Sequence, residues 1–247
     1  MRTANPALSD KTFERYVDYA AEARMTLSGT VNKTGFLLLI LMVPAVWIWR
    51  QVYEASGAVN VQGWMIGGIF GGLVMAMVTV FKPTWSPITA PMYAALEGLA
   101  LGGISAFFEQ RYPGIVIQAI ALTFGTLAVL LTAYATGVIK ATENFKLGVA
   151  SATGAVFLVY MTTMVMGFFG ISVPYIHEGG LIGIIFSLVV VVIAALNLVL
   201  DFDFIETGVE RGAPKFMEWY AAFGLMVTLV WLYLEILRLL AKLQSRR

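Results

Sequence analysis

Four acids stand inside long apolar stretches of this sequence: Glu97, Asp201, Asp203 and Glu235. An ionised carboxylate in hydrocarbon costs roughly 2.5–3.5 kcal/mol on insertion scales, so each needs a partner, water or a neutralising proton. Asp201 has Asn197 one turn earlier on the same helical face, a polar stripe in the otherwise aliphatic run from Val189 to Leu200. That stripe is expected to face a helix bundle's interior. Burial and the negative end of the helix macrodipole both penalise the charged form of Asp201, which suits it to act as a proton switch. The plainer reading makes Asp201, Asp203 and Glu206 the interfacial end of a helix reaching water.

Glu97 precedes a small-residue face of Gly98 and Gly102 and lies about two turns inside its helix, at a depth matching Asp201. The two could share a proton or ligate a hard cation such as calcium, which takes carboxylate oxygens. A protonated Glu97 hydrogen-bonded across helices is the alternative. Glu235 is 18 residues into its helix, about 27 Å along it, which places it near the opposite side from Asp201. It is read as an i,i+3 pair with Arg238. Thr228, on nearly the same face and seven residues earlier, is closer to Asp201 in depth. With Asn197, Asp203 and Glu235 it marks a conceivable ion path, to be continued by Thr162 and Thr163 toward the other side. His177, beside Glu178 in a loop, is taken as solvated.

Enzyme chemistry finds little support. The 247 residues include one His and no Cys, which excludes disulfides, thiolate metal sites and cysteine nucleophiles. There is no HExxH, Walker loop or glycine-rich dinucleotide turn. An intramembrane aspartyl protease would need two close acids, and only Asp201 with Glu97 could supply them. The chain is read as a non-enzyme without a cofactor.

The elements that must position these residues are membrane helices. The chain is 59% hydrophobic and 13% charged, with mean hydropathy +0.81, which excludes a soluble core or a disordered chain. A net charge of +1 gives no reason to expect nucleic acid. A window of about 19 residues predicts spans at 35–49, 61–81, 90–108, 115–137, 147–169, 181–205 and 217–240. The fold class is therefore an all-α, seven-helix integral membrane bundle, residues 35–240, whose short connections make neighbouring helices antiparallel. Residues 1–34 form an N-terminal arm, with Phe13, Tyr16, Val17, Ala20 and Arg24 at amphipathic spacing, and 241–247 a basic tail. A polar arm this long is no signal peptide.

Arg2, Lys11, Arg15, Arg24 and Lys33 in the arm, with Lys82, Lys140, Lys146, Arg211 and Lys215, fall on one side; Arg50 and Arg111 fall on the other. The excess places the N-terminus in the cytoplasm. Arg238, Lys242, Arg246 and Arg247 dissent, so a six-helix or re-entrant reading with both termini inside stays open. Trp47, Trp49, Trp64, Trp219 and Tyr220 mark span ends as interfacial anchors. Pro44 is expected to bend the first helix. Gly67 with Gly71, Gly68 with Gly72, Gly98 with Gly102 and Ala150 with Gly154 are small-xxx-small pairs, expected to pack helices within the chain.

Over nearly its whole length the chain resembles the Bax inhibitor 1-like family of membrane proteins, most closely its bacterial branch. The resemblance is carried by Leu198-Val199-Leu200-Asp201-Phe202-Asp203-Phe204-Ile205 and Leu232-Tyr233-Leu234-Glu235-Ile236-Leu237-Arg238-Leu239-Leu240. Asn5-Pro6-Ala7-Leu8-Ser9, Gly29-Thr30-Val31-Asn32-Lys33-Thr34-Gly35, Phe81-Lys82-Pro83 and Ala141-Thr142-Glu143-Asn144-Phe145 add to it. It implies a bundle with the last helix central, a bacterial inner-membrane location and a passive, pH-sensitive calcium leak. It also implies an aspartate pair on the last two helices as pH sensor, and Asp201 matches the first member. Matching Leu-Tyr-Leu-acid puts Glu235 at the second; aligning back from Leu-Arg-Leu-Leu puts Thr228 there. Depth favours Thr228, which leaves the pair incomplete and Glu97 as the expected partner of Asp201. The functional expectation is a cation leak gated at Asp201. The alternative is a non-transporting regulator that binds a membrane protease or stress-response partner.

Overall fold

The computed structural model describes residues 24–53, 61–170 and 180–246. Most of the arm, with Phe13, Tyr16, Val17 and Ala20, and the loop holding His177 and Glu178 lie outside them. Seven α-helices follow one another: α1 (Leu27–Tyr53), α2 (Val61–Phe81), α3 (Ser86–Arg111), α4 (Ile115–Ala135), α5 (Glu143–Phe168), α6 (Leu181–Glu210) and α7 (Met217–Gln244). A 3-10 turn, Pro83–Trp85, joins α2 to α3. Among the described residues there is no strand, only an isolated bridge between Arg24 and Pro214. By length and composition all seven helices are able to cross a bilayer.

Five of the helices run longer than the hydropathy pattern indicates, most of all α1, which starts at Leu27 and not at Gly35, while α2 keeps the expected bounds and α4 ends two residues early. Polar residues extend it because their backbone and side-chain groups are satisfied locally. The Thr26 hydroxyl accepts from Gly29 N at 3.0 Å, a helix cap, and the Thr30 and Thr34 hydroxyls donate back to the Thr26 and Thr30 carbonyls at 3.0 Å each. The arm thus gives way to helix before residue 34, and α7 likewise continues past residue 240.

The chain forms two compact units. The first comprises the described parts of Asp10–Pro113 with Phe204–Val227. In it α3 packs against both α1 and α2, and glycine makes this possible. A Cβ on Gly102 would stand 2.5 Å from the Ala45 carbonyl oxygen, and one on Gly68 2.6 Å from that of Leu96, so neither position admits a larger residue without separating two backbones. A Cβ on Gly98 would likewise run into the Leu41 carbonyl oxygen and stand 2.7 Å from the Pro44 ring, giving Pro44 a packing role beyond any bend. Gly67 and Gly154, by contrast, have open space around them. The Thr79 hydroxyl donates to that of Thr89 at 2.7 Å, and Trp47 meets Trp64 edge-on at 5.5 Å.

The N-terminus of α7 in this unit is fastened by Glu218, whose side chain is fully buried. Its carboxylate accepts from Thr26 N at 2.9 Å, Thr26 Oγ1 at 2.8 Å, Lys215 Nζ at 2.8 Å and Lys33 Nζ. Gly29 leaves the space this carboxylate occupies. Met25 N donates to Ala213 O at 2.7 Å beside it, so the start of α1 is tied to the connection between α6 and α7.

The second unit comprises the described parts of Gly114–Asp203 with Thr228–Arg247. Its α5 turns Lys146, Val149 and Val156 inward. Of all seven helices α7 is the most buried, 67% of its most apolar stretch against 11% for α5. An apolar helix whose neighbours are mostly protein can carry polar residues at low cost, and α7 carries several.

Candidate functional site

Asp201 occupies the second unit, on the α6 face where the sequence pattern puts it, and is 1% exposed. The Thr228 hydroxyl of α7 hydrogen-bonds its carboxyl group. Oδ2 is buried and has no hydrogen-bond partner among the described residues. One turn earlier, Asn197 Nδ2 donates to Thr153 Oγ1 of α5 and to Ile193 O, both at 2.8 Å. Three helices therefore contribute polar groups at one depth: Thr153, Asn197 with Asp201, and Thr228. Thr228 is thus the α7 residue that meets Asp201, as the depth argument expects.

A buried carboxyl with an oxygen left over is chemically incomplete. Leaving such a group unpaired costs on the order of 1–3 kcal/mol, and more when charged. A proton on that oxygen, or a positive charge facing it, relieves the cost.

The other acids are engaged differently. Asp203 pairs with Lys146 Nζ at 2.8 Å, across from α6 to α5, and Lys146 also reaches Glu143 at 3.2 Å. An acid already neutralised by lysine fits a structural tie better than a step on an ion path. Glu97 belongs to the first unit, where the Tyr93 hydroxyl, one turn earlier on α3, hydrogen-bonds it. Gly72 of α2 leaves room for its Oε2. Tyr93 in turn packs edge-on against Phe223 at 5.0 Å. Among the described residues no three or more His, Asp or Glu side chains gather in a group able to hold a metal ion. The pair Asp201 and Glu97, expected as calcium ligands, is divided between the two units.

Glu235 is fully buried at the far end of α7 and forms the expected pair with Arg238, Nη1 to Oε1 at 2.6 Å. It has further partners that spacing to Arg238 does not reveal. The Tyr160 hydroxyl reaches Oε1 at 3.1 Å and Oε2 at 3.0 Å, and Trp231 Nε1 donates to Oε1 at 3.2 Å. Beyond it, Lys242 Nζ donates to Ser187 Oγ at 2.8 Å and Gly183 O at 3.1 Å on α6.

Beyond Lys146, the polar residues of α5 that bond to α6 and α7 are Thr153 and Tyr160, and not Thr162 and Thr163. Thr162 is exposed, and the Thr163 hydroxyl donates to the Tyr160 carbonyl of its own helix. The seven-residue interval from Thr153 to Tyr160 repeats that from Thr228 to Glu235, a same-face signal present in the sequence.

A family model described as Bax inhibitor 1 like matches residues 5–245. Comparison with curated proteins and with solved structures finds no match.

Proposed function

From the premise that this chain belongs to the Bax inhibitor 1 like family, we propose that it is a passive, pH-sensitive cation leak of the membrane, with calcium as permeant and Asp201 as the proton-titrated gate. The observation that carries this reading is the buried Asp201 carboxyl, hydrogen-bonded to Thr228 on the neighbouring helix and left with one unpartnered oxygen. Proton and cation compete for that oxygen. Uptake of either alters the charge that α6 presents to α7, and hence the packing of the two helices.

Thr228 takes the place of the second aspartate of the family's pair, so this gate has one carboxylate and not two. A single acid titrates in one step, whereas a coupled pair titrates in two. Glu97 with Tyr93 is a separate acid of the first unit and is proposed as a second, auxiliary proton site. The excess of lysine and arginine in the arm and in the connections on its side supports an N-terminus in the cytoplasm. Resemblance to the bacterial branch supports placement in a bacterial inner membrane.

The test is calcium entry into proteoliposomes containing the purified protein at pH 6, 7 and 8, read by an internal indicator dye. Entry above protein-free vesicles that varies with pH is the expected result. If the folded protein passes neither calcium nor any monovalent cation, the leak reading falls, and a regulatory partner in the membrane becomes the question.

A further inference from the structure

We infer that Tyr160, Glu235 and Arg238 form a second gate, at the end of the second unit away from Asp201, in which Arg238 holds the way shut to cations. The inference rests on the leak reading and adds to it a barrier that the Asp201 site does not contain.

The geometry separates what α7 does by itself from what closes it onto its neighbours. Trp231, Glu235 and Arg238 all belong to α7, so their mutual bonds at 3.2 and 2.6 Å set the Glu235 carboxylate in place without help. Tyr160 alone brings in α5, donating to that carboxylate. Its ring lies under the Arg238 guanidinium at 5.5 Å and against Phe186 of α6 at 6.2 Å, so one side chain touches all three helices. Among the described residues Lys242 is a further charged group at this end, and it ties α7 to α6.

Electrostatics then decides what passes. Among the described residues Arg238 and Lys242 stand at this end with one acid, Glu235, so a cation arriving along the polar faces of α5, α6 and α7 meets net positive charge. Arg238 has a side chain 48% exposed, while Glu235 is 0% exposed. The guanidinium can therefore swing outward while the carboxylate stays, which converts the constriction from one that repels cations to one that attracts them. Between the two polar levels α5 turns only Val156 inward, at 6% exposure, three residues after Thr153 and four before Tyr160. That dry step is where water must enter when the gate opens.

A purely structural cluster and a gate predict different signs. If the cluster merely stabilises the fold, Arg238→Gln, Tyr160→Phe and Glu235→Gln all act alike. A gate makes Arg238→Gln and Tyr160→Phe raise calcium entry about tenfold at every pH, as loss of a charge-assisted bond shifts the open population. Glu235→Gln lowers entry, because the positive groups remain and the acid does not.

The absence of native cysteine permits a reading independent of flux. Val156→Cys is nearly isosteric, and its modification by a membrane-impermeant maleimide reports water at the dry step. Labelling about tenfold faster in Val156→Cys combined with Tyr160→Phe or Arg238→Gln is the expected result. Unchanged labelling and unchanged flux in both, with wild type conducting and all proteins eluting as single species, overturns the gate. Absence of flux in wild type and every variant overturns instead the leak reading beneath it.

Discussion

Asp201 and Glu235 are both acids buried in apolar helices, and the contrast between them defines what each residue does. Glu235 has both oxygens engaged by Tyr160, Trp231 and Arg238, whereas Asp201 keeps one oxygen without a partner among the described residues. A satisfied acid stays charged and fixed in place; an unsatisfied one is available for a proton or an ion. Thr228 is the residue that tunes this availability, because its hydroxyl hydrogen-bonds the Asp201 carboxyl. Thr228→Val is expected to move the midpoint of the pH–flux curve, and Thr228→Ser to leave it in place, as measured by dye-reported calcium entry over a fine pH series. If Thr228→Val leaves the midpoint unchanged, the hydroxyl plays no part in the titration.

At the level of the element, polar clasps and bare glycines fix where helices begin and which faces meet. Glu218 fastens the start of α7 to Thr26, Lys33 and Lys215, a buried carboxylate with charged donors. Glu218→Gln weakens these bonds and is expected to cost about 2 kcal/mol, seen as a lowered Tm in detergent by intrinsic tryptophan fluorescence. Gly102→Val forces α3 away from Ala45 and is expected to lower Tm by an overpacking cost of about 1–3 kcal/mol. Gly67→Ala, into open space, should leave it unchanged.

These elements also show what periodicity conveys and what it does not. The spans, the α6 face of Asn197 and Asp201, the Glu235–Arg238 pair and the packing of Gly98 and Gly102 were all legible, because each depends on spacing within one helix. The true start of α1 was not, since Thr26, Thr30 and Lys33 look like an arm until their partners are known. Nor were Thr153 opposite Asn197 or Tyr160 against Glu235, because contacts between helices depend on relative rotation, which a single hydropathy profile does not carry. Thr162 and Thr163 illustrate this: both are polar and at a plausible depth, yet Thr162 is exposed and Thr163 bonds within its own helix.

On the scale of the whole molecule, seven apolar helices and the family match make this a membrane protein of the Bax inhibitor 1 like family. The proposed activity concentrates in a few polar groups of one unit, with Asp201 and Thr228 at one level and Tyr160, Glu235 and Arg238 at the other. Two barriers in series have a consequence for flux: opening either alone raises the leak only to the limit set by the other. Arg238→Gln should therefore raise calcium entry and leave its dependence on pH intact, since Asp201 is untouched. The measurement that bears most directly on the central claim is the pH profile of calcium entry for Asp201→Asn beside wild type, in matched proteoliposomes at pH 6, 7 and 8. The account predicts entry that varies with pH in wild type and is flat in Asp201→Asn. A variant that keeps the wild-type profile would contradict the assignment of Asp201 as the gate.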